Sequence, residues 1–240
     1  MKKHIPNFIT SLNLTSGFVA ILFAINGNLT TASWLIMAAM IFDFLDGFSA
    51  RMLKAYSAIG KELDSLADVV SFGVAPAVIL FALIARSLGI APTQAFSPFE
   101  IKTALLLVIT AIMPVCGALR LAKFNIDDSQ STSFKGLPIP ANALFVISFV
   151  FAATYSDAAI IGKFMNSTAA IIILTVVSSL LMVTSIPLLS LKTSSLAWKG
   201  NEGRYIMIAA IVVSLILLGA AAAPLAIPIY LVASVIFPPK

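Results

Sequence analysis

The sequence predicts an all-α polytopic membrane protein, a bundle of about eight transmembrane helices. Of its 240 residues, 60% are hydrophobic and only 10% are charged, whereas soluble domains carry roughly 25% charged residues. Apolar runs recur along the chain, and most approach the roughly 20 residues that a helix needs to cross a bilayer. The composition therefore predicts a single integral membrane domain over residues 1–240.

The predicted helices follow the apolar runs, with the charged residues in short segments between them. Their ranges are 9–27, 31–50, 63–88, 101–123, 138–156, 167–190, 204–221 and 224–237. The eighth is short and is interrupted by Pro224 and Pro228, so a re-entrant or tilted segment stays an alternative there. No internal repeat or second domain is visible.

The basic residues predict the orientation of this bundle. With the N-terminus inside, twelve of the fifteen Lys and Arg residues lie on the inner side, and only Arg86, Lys102 and Lys163 lie outside. Cytoplasmic loops carry such an excess of positive charge, so both termini are expected in the cytoplasm. The cations are dispersed, without the basic stripe of a nucleic-acid-binding protein, and no nucleic acid is expected as a partner.

Four aspartates lie close together at the inner ends of the second and third predicted helices. Asp43 and Asp46 are three residues apart and Asp64 and Asp68 are four apart, so each pair shares one face of its own helix. Both pairs can meet across the hairpin. Gathered carboxylates need positive charge beside them, and oxygen ligands favour Mg²⁺ or Mn²⁺, two of which can clamp a diphosphate. The pattern indicates a site for hard divalent cations, and the arrangement suits phosphoryl transfer.

The aspartates have two other interpretations. Aspartate is too short to snorkel far towards the membrane surface. A cation-coupled transporter stays an alternative from another class, although transporters place such acids near the membrane midplane, on interrupted helices of a repeated structure.

The stretch from residue 43 to residue 68 resembles the signature of the CDP-alcohol phosphotransferase family, D-x2-D-G-x2-A-R followed by G-x3-D-x3-D. Every fixed position is met: Asp43, Asp46, Gly47, Ala50, Arg51, Gly60, Asp64 and Asp68. Segments 6–13, 71–76, 119–125 and 134–142 are similar to the phosphatidylserine synthase branch of that family. One departure is Lys123, where this branch more often has arginine.

The resemblance implies a homodimeric enzyme of a bacterial inner (plasma) membrane whose active site opens to the cytoplasm. It would transfer the phosphatidyl group of CDP-diacylglycerol to L-serine, with the acyl chains left in the membrane lipid. The four aspartates would hold the two metals. Six residues would bind the CDP-lipid, around the cytidine Gly47, Ala50 and Gly60 and near the diphosphate Asn7, Thr10 and Arg51.

Asp68 is the predicted general base, because the last acid of the motif can keep an oxygen free for the proton of the acceptor hydroxyl. A covalent aspartyl-phosphate route stays open. A Ser-His or Cys-His nucleophile pair is not available, since His4 is the only histidine and lies in the N-terminal tail.

The carboxylate of serine requires a cation in its pocket, and Arg120 and Lys135 lie on the predicted cytoplasmic side near Asn125. These three are the predicted serine-binding residues. A relative of the same family that uses glycerol 3-phosphate, an inositol phosphate or choline stays an alternative, although a phosphorylated acceptor would favour a more basic pocket.

Overall fold

The computed structural model describes residues 4–91, 93, 104–105, 108–126, 134–189 and 197–238, and these residues are predominantly helical. The helices are α1 (His4–Ile25), α2 (Leu29–Met52), α3 (Ala58–Asp68), α4 (Ala75–Ser87), α5 (Ile112–Ile126), α6 (Ile139–Tyr155), α7 (Ala159–Met165), α8 (Thr168–Val183), α9 (Glu202–Leu218) and α10 (Ala226–Ile236). Two short strands, β1 (Phe134–Lys135) and β2 (Pro187–Leu188), pair antiparallel. The prediction of an all-α membrane bundle is confirmed.

The predicted number of eight membrane crossings is not confirmed. Among the described residues, five segments are long and apolar enough to cross a membrane, with α9 and α10 counted together as one segment, or six if the bent pair of α7 and α8 forms one span. Helices α6, α8, α9 and α10 contain 17, 16, 17 and 11 residues, fewer than the roughly 20 of a perpendicular crossing. Helix α7, which is bent by 81° relative to α8, was not predicted.

Helices α9 and α10 form an antiparallel hairpin. A 3₁₀ segment, Gly219–Leu225, joins them, and Gly219 has a φ of +58°, where L side chains are strained. A Cβ atom added at Gly203 would lie 2.6 Å from the Cβ of Phe237, whereas one straight helix would hold these residues about 50 Å apart. The prediction of two separate helices at the C-terminus therefore agrees with the packing.

Helices α3 and α4 continue into one another as a 30-residue helix, Ala58–Ser87, which is the most buried of the candidate spans. A π-helical turn, Val69–Val74, joins the two. The helix begins five residues before the predicted start at residue 63, because the Ser57 side chain caps it by accepting a hydrogen bond from the Gly60 N–H. This extra turn carries Gly60 and Lys61 to the end of the bundle where α2 finishes.

Helix α1 packs more extensively along α2 than along any other helix. Its buried residues follow one face at helical spacing and are small or polar: Pro6, Thr10, Asn13, Gly17, Ala20 and Ala24. Small residues allow membrane helices to approach closely. One half of the α1 face therefore provides close packing, and the other half brings Thr10 and Asn13 to the aspartates of α2 and α3.

The β1–β2 pair fixes the segment that leads into α6. Gly136 has a φ of +73°, and a Cβ atom added there would lie 2.6 Å from the carbonyl oxygen of Met182. The Gly136 N–H donates to the Ile186 carbonyl at 2.9 Å, and the Leu137 N–H donates to the Leu181 carbonyl at 2.9 Å. Glycine is therefore required where this loop meets the end of α8.

Candidate active site

The four aspartates lie where the end of α2 meets α3. Asp43, Asp64 and Asp68 each offer a carboxylate oxygen, and these three atoms lie within 4.8 Å of one another. Asp46 lies outside this group of three and is only 4% exposed. Residues 53–57 form the short connection between α2 and α3, so the hairpin expected from the sequence brings the two pairs together.

The environment of these carboxylates fits a divalent cation. Asp46 Oδ2 and Asp64 Oδ1 are buried and have no hydrogen-bond partner. Buried polar atoms normally have partners, and buried carboxylates without compensating charge are strongly destabilising. A hard cation would satisfy these oxygens and balance the charge of the cluster. The donor set is all oxygen, which is the set that Mg²⁺ and Mn²⁺ prefer.

A cavity of about 220 Å³ opens beside the aspartates. Both Asp46 and Asp64 line it, so a molecule in the cavity would have its charged end at the carboxylates. All six residues predicted to bind the CDP-lipid also line it: Asn7, Thr10, Gly47, Ala50, Arg51 and Gly60. The structure brings these residues together, and their role stays a prediction.

The cavity wall also contains residues, among them Tyr56, Ser57 and Lys61, to which the sequence assigns no role. Ser57 caps α3, and its position before Gly60 is the one signal in the sequence that could have identified it. Tyr56 and Lys61 are exposed, and their place follows only from the turn between α2 and α3.

The two glycines of the motif differ in how tightly they are packed. A Cβ atom at Gly60 would lie 2.9 Å from Ser57 Oγ and 3.0 Å from Asn7 Oδ1, which is too close without a shift. A Cβ atom at Gly47 would have only Arg51 Nη1 near it, at 3.7 Å. The fold therefore tolerates a side chain at Gly47, although that position faces the cavity.

Gly47→Ala is expected to raise the KM for a CDP-lipid donor about 10- to 100-fold, because a methyl group forced against a bound ligand costs about 1–3 kcal/mol. Melting temperature should stay the same or rise, since alanine favours helix. The measurement is steady-state kinetics with melting of the same samples. Gly162→Ala in α7 is the control, since a Cβ there has nothing within 4 Å, and an equal rise in KM for both variants would contradict the cavity's role.

The three predicted serine-binding residues, unlike the predicted CDP-lipid residues, are not among the described residues that line the cavity beside the aspartates. Arg120 on α5 is 8% exposed, and its Nε has no hydrogen-bond partner. It lies within electrostatic range of Asp68 and of Tyr230 on α10. The Arg120 guanidinium is therefore a buried cation near the last acid of the motif.

Asn125 and Lys135 have different surroundings. Asn125 Nδ2 donates to Ser65 Oγ at 2.9 Å, and the backbone carbonyl of Asn125 accepts from Lys61 Nζ at 3.1 Å. Asn125 therefore connects the end of α5 to α3. The backbone of Lys135 belongs to β1, and its side chain lies outside the described residues. The serine-binding role of both residues stays a prediction.

Asn13 belongs to segment 6–13, and the sequence predicts no role for it. It is fully buried on α1, and its Nδ2 donates to Asp68 Oδ1 at 3.3 Å. The contact joins residues 55 positions apart. Only the packing of α1 against α3 could reveal it.

A second cavity, of about 330 Å³, lies at the opposite end of the bundle and is lined by residues that include Asn28, Thr30, Arg86, Thr154 and Asn166. Among the described residues that line it, none is acidic and none is a predicted site residue. The cavity beside the aspartates is therefore the candidate active site.

Several membrane-length helices and a partly buried cluster of carboxylate oxygens between two of them define a polytopic membrane protein with a site suited to divalent cations and phosphates. The chain belongs to the CDP-alcohol phosphatidyltransferase family, whose model matches residues 3–190. This match confirms the resemblance found in the sequence. It includes the aspartates, Arg120 and the β1–β2 pair, and it leaves the α9–α10 hairpin outside.

Curated relatives agree with this assignment. Archaetidylserine synthase of Methanothermobacter thermautotrophicus is 35% identical over 184 residues, 76% of this chain and 68% of that protein. CDP-diacylglycerol--serine O-phosphatidyltransferase of Bacillus subtilis is 38% identical over 151 residues, 62% of this chain and 77% of that protein. The protein of the same name from Methanocaldococcus jannaschii is 43% identical over 145 residues, 60% of this chain and 59% of that protein. The chain thus spans 59% to 77% of the length of these relatives.

Proposed function

We propose that this protein transfers the phosphatidyl group of CDP-diacylglycerol to L-serine, giving phosphatidylserine and CMP, as a step of phospholipid biosynthesis. The observation that carries the proposal is the cavity next to the aspartates, which all six residues of the predicted CDP-lipid site line. The choice of serine rests on the relatives named CDP-diacylglycerol--serine O-phosphatidyltransferase.

In this proposal Asp43, Asp46, Asp64 and Asp68 would hold two divalent cations, Mg²⁺ or Mn²⁺. Bound there, the cations would supply positive charge to the diphosphate and to the oxygen that leaves with CMP. The serine hydroxyl oxygen attacks the lipid-linked β-phosphorus and the bond from that phosphorus to the CMP oxygen breaks. Asp68 accepts the hydroxyl proton, and the products are phosphatidylserine and CMP.

The remaining residues of the proposed site bind and orient the two substrates. Asn7, Thr10 and Arg51 contact the diphosphate, since amide, hydroxyl and guanidinium groups donate hydrogen bonds to phosphate oxygens. Gly47, Ala50 and Gly60 admit the cytidine. Buried Arg120 binds the serine carboxylate, and Asn125 and Lys135 complete the proposed serine site.

The membrane setting is part of the proposal. The single domain of residues 1–240 lies in the bacterial inner membrane as a homodimer, with both termini and the active site on the cytoplasmic side and the acyl chains of the donor in the bilayer. Arg51 and Lys61 line the cavity beside the aspartates. Such basic residues favour the cytoplasmic side, which supports this orientation.

The test measures CMP release by detergent-purified protein from CDP-diacylglycerol with Mg²⁺ or Mn²⁺, and compares serine, glycerol 3-phosphate and inositol phosphate as acceptors. Release that requires both serine and a divalent cation is the expected result. Release with another acceptor would overturn serine and keep the chemistry. No release from folded protein, together with ion-dependent flux in vesicles, would favour a cation-coupled transporter.

The relative named archaetidylserine synthase favours one additional arm of this test. An ether-linked archaeal CDP-lipid is offered in place of CDP-diacylglycerol, with serine as the acceptor. A preference of about 10-fold or more for the ether lipid would assign this protein an archaeal ether-linked donor, and the proposed mechanism would stay the same.

A further inference from the structure

A side chain of α1 donates a hydrogen bond to the carboxylate of Asp68. Asn13 Nδ2 donates to Asp68 Oδ1 at 3.3 Å, and Asn13 is fully buried while Asp68 is 8% exposed. The amide and the carboxylate therefore face each other away from water. A hydrogen bond to one carboxylate oxygen restricts the rotation of the side chain and so fixes the direction of the second oxygen.

The backbone of Asn13 is itself fixed by the π-helical turn that follows Asp68. Ser71 Oγ in this turn donates to the Asn13 carbonyl at 3.0 Å. Four residues further along α1, a Cβ atom at Gly17 would lie 2.6 Å from the Cα of Ser71, so the two backbones are in close contact. Asn13 and Asp68 are therefore held by a rigid junction, and π-helical turns often occur at functional sites.

Packing alone does not explain an asparagine at this place. Asparagine is a weak helix former, and burying its amide is unfavourable unless both polar atoms are paired. Asn13 Oδ1 has no hydrogen-bond partner, so half of the side chain is uncompensated. Among the described residues, Asn13 Nδ2 has its hydrogen-bond partner in Asp68, and a leucine of similar size would lack this interaction.

We propose that Asn13 is a positioning residue: it holds one oxygen of Asp68 so that the second oxygen points to the metal ions and to the acceptor hydroxyl. This inference rests on the proposed function for the identity of the acceptor. The hydrogen bond from Asn13 to Asp68 should also affect how tightly Asp68 binds a cation. Partners of this kind, which orient metal ligands, change metal affinity or activity about 10- to 100-fold when they are removed.

The test uses Asn13→Leu and Asn13→Ala in the full-length, detergent-purified protein. The first readout is the Mn²⁺ concentration that gives half of the Mn²⁺-induced rise in melting temperature, and we expect it to increase about 10-fold. The second is kinetic: kcat should fall about 10- to 100-fold, with the KM for CDP-diacylglycerol within about 3-fold of the wild type. A residue needed only for packing would lower the melting temperature without Mn²⁺ and leave both readouts unchanged.

Two buried serines provide a matched pair of variants. Ser71→Ala removes the hydrogen bond to the Asn13 carbonyl and is expected to shift the Mn²⁺ midpoint in the same direction. Ser33→Ala is the control, because Ser33 is equally buried and donates at 2.8 Å to the Leu29 carbonyl within its own helix. Should Asn13→Leu not fold, Asn13→Ala and Ser71→Ala carry the test.

The outcomes separate this inference from the proposed function. Asn13 variants that keep the wild-type Mn²⁺ midpoint and kcat would overturn the positioning role. An equal shift for Ser71→Ala and Ser33→Ala would also overturn it, because the effect would then be one of general packing. Wild-type protein that releases no CMP would overturn the function alone, while the Mn²⁺ midpoint would still test Asn13.

Discussion

Asp64→Asn is expected to reduce CMP release about 1,000-fold, with folded protein still obtained in normal yield. Asp64 contributes to the three-oxygen cluster and also lines the neighbouring cavity, so in the proposed mechanism it would lie between the cations and the donor diphosphate. Losing several kcal/mol of metal-based charge stabilisation corresponds to a rate loss of about this size, at about 1.4 kcal/mol for each factor of ten.

Although Asp64→Asn lowers activity, it should raise the thermal stability of the metal-free protein. Asp64 Oδ1 is buried without a partner, close to Asp43 and Asp68, so a neutral amide relieves repulsion in the metal-free protein. We expect a higher melting temperature than wild type in EDTA and a smaller rise when Mn²⁺ is added. Thermal melts with and without Mn²⁺, alongside CMP release, measure both effects.

Asp157→Asn is the matched control for this prediction. Asp157 is an exposed acid in the connection between α6 and α7, away from the cluster, so its substitution should change neither activity nor the response to Mn²⁺. If Asp64→Asn kept more than about half of the wild-type activity, the aspartates would not be the metal ligands of a phosphotransferase.

The core of the site could be predicted from the sequence because it depends on local spacing. Asp43 and Asp46 share one helical face and Asp64 and Asp68 share another, and the short connection of residues 53–57 leaves the two helices little freedom in how they meet. The glycine and arginine positions of the cavity follow from the same motif. These positions lie on consecutive elements, so no distant contact had to be known.

Features that depend on distant contacts could not be predicted in this way. The link between Asn13 and Asp68 requires the register of α1 against α3, and the hydrogen bonds of Gly136 require the end of α8. The early start of α3 came from a capping serine outside the apolar run, which hydropathy does not detect. The short helix α7 and its 81° bend towards α8 likewise leave the hydropathy pattern almost unchanged.

Arg120→Lys is expected to raise the KM for serine about 10- to 100-fold, while the KM for CDP-diacylglycerol stays within about 3-fold of wild type. Arg120 is buried and its Nε has no hydrogen-bond partner, so this N–H can donate to a ligand, and a guanidinium can bind a carboxylate through two parallel hydrogen bonds. Lysine keeps the charge but loses this geometry, and a hydrogen bond to a charged group contributes about 1.5–3 kcal/mol. Initial-rate kinetics with each substrate varied in turn measures the difference.

Two comparisons decide whether Arg120 binds serine or only balances charge near Asp68. Arg86→Lys is the control, because Arg86 is exposed and lines the cavity at the opposite end of the bundle, and its kinetics should match the wild type. The Mn²⁺ midpoint of Arg120→Lys should also stay unchanged if the guanidinium contacts serine. A normal KM for serine with a lower kcat and a shifted Mn²⁺ midpoint would instead assign Arg120 to the electrostatics of the aspartate cluster, since it lies within electrostatic range of Asp68.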